Sequence, residues 1–152
     1  MLSNRLFRRL AQLGLVLALL AALPGVPAVA TVLASLPPSV LSKIDPQVLA
    51  QTANGGQADF LVVLADQADL SGAAALPTKI EKGRYVFHAL LAKAQSTQAP
   101  LLAWLQARHA EYRAYAIVNM LWVKGDAHLA QALAARADVA KLEANPDRKS
   151  VV

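Results

Sequence analysis

The stretch Ala114–Pro146, AYAIVNMLWVKGDAHLAQALAARADVAKLEANP, reads as strand, tight turn, strand, helix, strand. From Tyr112 to Val123 nearly every residue is β-branched, aromatic or otherwise apolar, and Asn119 is the one natural turn residue near the middle. Gly125 and Asp126 stop the second strand, and the Asp126 carboxylate is placed to cap the helix that follows. Leu129, Ala130, Leu133 and Ala134 recur at helical spacing, which predicts one apolar face. Asp138 then opens a short run containing Val139 and Leu142, which Asn145-Pro146 ends.

Upstream, Asp59–Ala65 (DFLVVLA) predicts a strand that is apolar at both parities, with Phe60, Val62 and Leu64 on one side and Leu61 and Val63 on the other. The segments near Ile117 and Met120–Val123 read as strands of the same two-sided character. Asp66–Leu76 is expected as a loop. Its Asp66 and Asp69 are too few for calcium, which takes six or more oxygens. Thr78 and Glu81 have the spacing of a capping box. The apolar phase that follows, through Phe87, Leu90, Leu91, Ala94, Leu101, Leu102 and Leu105, crosses Pro100 without a jump, so one kinked helix ending near Ala110 is expected. Trp104 beside that stripe is expected at the edge of the core. The sum is α+β: a ferredoxin-like βαββαβ order, with a four-stranded antiparallel sheet carrying two helices on one face. The other face is expected to be bare.

The 152-residue chain has room for one folded domain and contains no cysteine, which excludes disulfides and thiolate metal sites. Its formal charge of +5 comes partly from Arg5, Arg8 and Arg9; without them 12 of the 15 basic residues face 10 acidic ones, a net of +2. No basic stripe with interleaved aromatics is left to suggest nucleic acid. Residues 1–30 have the parts of a secretory signal: a basic start, an apolar run from Leu10 to Leu23, and Ala28-Val29-Ala30 as a cleavage site. Secretion is the expectation, with no stable membrane anchor after cleavage. Residues 31–56, with Pro37-Pro38, Asp45-Pro46 and Asn54-Gly55-Gly56, are expected as a linker containing a short helix over Ser42–Gln51. The folded domain is expected over 57–146, followed by a tail, 147–152.

Residues for enzyme chemistry do not converge. The chain has no G-x-S-x-G elbow, no phosphate-binding loop and no H-E-x-x-H pair. His88, His109 and His128 are scattered and expected on the surface, with His109 favourable near a helix C-terminus. No catalytic residue, metal or cofactor is expected.

The Asn119 turn, Gly125-Asp126, the short Leu/Ala helix and the run Ala-Asp-Val-Ala-Lys-Leu-Glu-Ala-Asn-Pro resemble the C-terminal half of a subtilisin-type propeptide. The bacillopeptidase F-like branch is the most similar, and the likeness extends back to about Asp59. The resemblance implies an inhibitory and chaperoning prodomain whose sheet packs on two helices of a subtilisin-like serine protease, with the C-terminal tail in the active-site cleft. Carried over, Asn119 matches the strand-turn asparagine, Val139 and Leu142 the apolar pair of the last strand, and Asn145-Pro146 the exit into the tail. Asn145, Pro146, Asp147, Arg148 and Lys149 are then the tail residues that meet the protease. The charged Asp147-Arg148-Lys149 departs from a substrate-like segment for a protease that prefers apolar side chains. The protease could act in cis, in a longer precursor, or in trans. A secreted module that homodimerises through the bare face is the alternative.

Overall fold

The computed structural model describes residues 36–145; the expected signal segment, and the tail residues from Pro146 on, lie outside the described residues. The order is α1 (Pro38–Leu41), α2 (Pro46–Gln51), β1 (Ala58–Leu64), α3 (Lys79–Gln106), β2 (Glu111–Tyr115), β3 (Met120–Gly125), α4 (Ala127–Ala134) and β4 (Val139–Ala144). The four strands form one sheet in the order β2-β3-β1-β4, and every neighbouring pair is antiparallel. This α+β architecture is compatible with a ferredoxin-like arrangement.

The helices begin where the side chains predict. Thr78 Oγ1 accepts from the Glu81 N–H at 3.2 Å while the Glu81 carboxylate accepts from the Thr78 N–H at 3.1 Å, the reciprocal pair of a capping box. Asp126 Oδ1 accepts from the Leu129 N–H at 2.9 Å and opens α4. Pro100 sits inside α3 without ending it. Instead, α3 stops at Gln106, slightly before the expected end near Ala110. The Ala110 N–H reaches back to Leu105 and the His109 N–H to Gln106, with His109 at φ 54°. That is a Schellman ending with histidine in the left-handed position usually given to glycine.

Alternation along β1 sorts the packing. Ala58, Phe60, Val62 and Leu64 are buried, and with Leu121, Val123, Val139 and Leu142 they form one cluster. Leu101 and Leu105 of α3 and Ala130, Leu133 and Ala134 of α4 join the same cluster, so both helices lie on one face. Two expectations need correction. Ile117 is not in a strand: it lies in the turn between β2 and β3 and is 84% exposed, because the strands end at Tyr115 and restart at Met120. Residues 36–56 are not a free linker. Ile44 and Val48 are buried in the sheet-and-helix core, and Ile44 bridges to Leu142. The Asp45 N–H donates to Leu142 at 2.9 Å and the Leu142 N–H to Lys43 at 2.7 Å, which closes the outer edge of β4. The local turn signals were sound, since α2 starts with Pro46 under an Asp45 cap; the short helices simply fold onto the domain.

Around this junction Lys43 Nζ donates to the carbonyls of Arg136 and Val139, and Arg136 forms a two-point pair with Asp138 at 2.8 and 2.6 Å. The Arg108 guanidinium lies 3.7 Å from the Trp104 ring centroid and that of Arg136 lies 5.5 Å away, so Trp104 is the edge-packing residue expected. The hydrogen bond from Arg136 holds the Asp138 carboxyl below the usual carboxylate range, against a smaller opposing effect of burial.

Two stability outcomes follow. Ile44→Ala should cost about 2–4 kcal/mol in urea unfolding, the cost of a core truncation, whereas a free linker would give no change. Asp138 titrates lower in the folded than in the unfolded chain, so its contribution is full at neutral pH and fades as pH falls through the folded value. Asp138→Asn should therefore lose up to about 1 kcal/mol at pH 7, a figure discounted for the pair's solvent exposure, and match the parent in strong acid.

Candidate functional site

The other parity of the sheet builds a face that nothing among the described residues covers. Strand register arranges it in three cross-strand rows. Glu111, Lys124 and Asp59 make the first, wholly charged and alternating in sign. Arg113, Trp122, Leu61 and Glu143 make the second; Tyr115, Met120, Val63 and Lys141 make the third. Leu61, Val63, Met120 and Trp122 are thus an apolar centre bordered by charges, and each is half-buried by its neighbours instead of fully exposed. The Arg113 guanidinium stands 5.6 Å from the Trp122 ring centroid, and Lys141 pairs with Glu143 along β4. The face is narrower than an all-apolar sheet surface, because β2 and β4 supply mostly polar side chains to it.

A shallow depression of about 520 Å³ lies on this face, lined by Leu61, Arg113, Tyr115, Met120, Trp122 and Asn145. Asn145 follows β4 and its N–H donates to Asp59 at 3.2 Å, so the chain leaves the domain beside the uncovered face. This is the one tail residue that the structure places; Pro146, Asp147, Arg148 and Lys149 lie outside the described residues.

The three residues matched to the family motif stand elsewhere. Val139 and Leu142 are each 1% exposed and point into the helix-side core. Asn119 is 2% exposed and is the hub of a polar network. Its Nδ2 donates to the Asp66 carbonyl and to Thr97 Oγ1, both at 2.7 Å, and its Oδ1 accepts from Gln98 Nε2 at 2.8 Å. Gln98 also reaches the Tyr115 carbonyl, and the Gln67 side chain bonds both the N–H and the carbonyl of Asn119. Every buried polar side-chain atom among the described residues has a partner. All three motif residues are buried inside the domain.

His88, His109 and His128 are all exposed and far apart in sequence, and among the described residues no group of three or more His, Cys, Asp or Glu could hold a metal ion. No described helix is long and apolar enough to cross a membrane. Comparison with protein-family profiles, with curated protein sequences and with solved structures gave no match.

Asn119→Ala removes one carboxamide but strands several buried partners, including Gln98 and the Asp66 carbonyl. Chemical denaturation should show a loss of about 3 kcal/mol, well above the roughly 1 kcal/mol of a single hydrogen bond.

Proposed function

We propose that the chain is a secreted, propeptide-type inhibitor and folding chaperone of a subtilisin-like serine protease, built on a ferredoxin-like domain. The uncovered sheet face docks on the protease, and the tail from Asn145 through Pro146, Asp147, Arg148 and Lys149 runs into the active-site cleft. One observation carries this reading: an apolar centre of Leu61, Val63, Met120 and Trp122 is left open on the face from whose border the chain departs at Asn145. A sheet apolar on both faces but helix-covered on one is half of a core, and a protein partner supplies the other half.

The mechanism is binding to the native protease in preference to its unfolded chain. Such binding stabilises the native fold by about 4 kcal/mol at a thousandfold excess over the dissociation constant. The tail backbone pairs with the strands at the edge of the cleft, and its side chains select pockets. The alternating charges at the rim of the face fix register more than they add affinity. The protease is encoded with the domain or met in trans.

The chain from residue 31 onward, which keeps the core residues Ile44 and Val48, should inhibit a purified subtilisin with slow onset. Leu61→Lys with Trp122→Lys should weaken that inhibition at least about tenfold while leaving the circular-dichroism spectrum intact. Protease activity undiminished at micromolar domain refutes the reading. A dimer in light scattering, lost in the same double variant and without effect on proteases, would make a second copy the occupant of the face.

A further inference from the structure

The helix-side core is built from Ile, Leu, Val, Phe and Ala side chains and contains no sulfur. The chain has no cysteine and two methionines, Met1 and Met120, and Met1 falls in the expected signal segment. Met120 therefore carries the one sulfur atom among the described residues, and the fold puts it outside the core. It opens β3 on the parity of Trp122, whereas Leu121 and Val123 point inward and are fully buried. In register it stands between Tyr115 of β2 and Val63 of β1, in the apolar centre of the uncovered face. Its side chain is half-buried and lines the depression of about 520 Å³, so a small solute reaches it from the open side.

A thioether in this place has a chemistry that its neighbours Leu61 and Val63 lack. The sulfur lone pair attacks one oxygen of a hydroperoxide; an S–O bond forms and the O–O bond breaks. Sulfur is oxidised and the peroxide reduced, and with hydrogen peroxide the leaving hydroxide takes the proton of the transferred oxygen and departs as water. The product is methionine sulfoxide, a polar group where an apolar one stood. In the free domain the new oxygen is solvated in the open depression, and the core behind it is untouched because no methionine contributes to it. When a partner covers the face, the same oxygen loses that water and meets a surface fitted to an apolar side chain. A buried polar group without a hydrogen-bond donor is costly. The cost falls on the docked state alone, so oxidation weakens docking and spares the fold.

We propose that Met120 is a redox switch on the docking face. Reduced, it belongs to the apolar centre that meets the partner; oxidised by a peroxide, it releases the partner without unfolding the domain. The inference rests on the docking reading above and adds its regulation. The step is reversible, because methionine sulfoxide reductases restore the thioether, one enzyme for each sulfoxide epimer.

The test oxidises the domain alone. The chain from residue 31 onward is treated with hydrogen peroxide, desalted, and then assayed against purified subtilisin, so the protease never meets the oxidant. Peptide mapping should place one added oxygen on Met120, with the circular-dichroism spectrum and the urea midpoint unchanged. Inhibition should weaken at least about tenfold and return after treatment with both reductases. Met120→Leu, a volume-conserving exchange, should inhibit like the parent before and after peroxide. Equal inhibition by the oxidised and reduced chains overturns the switch and leaves the docking reading standing. A Met120 that resists peroxide in the folded chain overturns it too. So does a sulfoxide that lowers the urea midpoint, since the lost inhibition then follows from a weakened fold. Absence of inhibition by the unoxidised chain refutes the docking reading itself, and the switch with it.

Discussion

The buried carboxamide pair of Gln98 and Asn119 sets the geometry of the whole domain. Through it α3, the β2–β3 hairpin and the segment leaving β1 meet at one point, and the Gln67 and Thr97 side chains complete the network. A buried polar network is tolerated only when each member is satisfied, and it then allows one arrangement and few others. Apolar contacts alone would let a 28-residue helix slide along a short sheet by a turn at little cost. The latch removes that freedom. It fixes how much of α3 covers the sheet and how much stands beyond it.

One-sided packing is the second consequence. Phe60, Val62 and Leu64 look toward α3, α4 and the buried Ile44 and Val48, which together roof one face completely. Leu61 and Val63, one residue out of phase, look the other way, and among the described residues no element is left to cover them. Charges then limit what the open face can do. The alternating row Glu111, Lys124, Asp59 and the Lys141–Glu143 pair surround the apolar centre, so nonspecific association strands charges while a complementary surface matches them.

Local signals in the sequence were legible where the physics is local. The Thr78–Glu81 box, the Asp126 cap, the β1 and β3 strands and the passage of α3 through Pro100 all follow from residues within a turn or two. Long-range partnerships were hidden. Asn119 reads as a turn former because Gln98 lies 21 residues away and Gln67 lies 52 away. Ile117 and Val118 carry strand propensity into a turn, where the latch overrides it. Ile44, Val48 and Thr52 recur every four residues, a buried stripe that prolines and glycines on either side obscured. That α3 outreaches the sheet follows from lengths alone, since no seven-residue strand can underlie a helix of about eight turns.

Both edges of the sheet are closed to strand addition, which leaves its apolar surface on a face. Open strands invite pairing with any passing chain, and folded domains blunt them. Lys43–Asp45 close the outer side of β4 with two backbone hydrogen bonds. The other edge, β2, is only five residues long and alternates Glu111 and Arg113 with Tyr112, whose hydroxyl is held by Gln106. A short, charged edge is a poor template for strand addition. The apolar surface that remains therefore lies on the sheet face, where side-chain shape and charge differ from one surface to the next as backbone N–H and C=O groups do not.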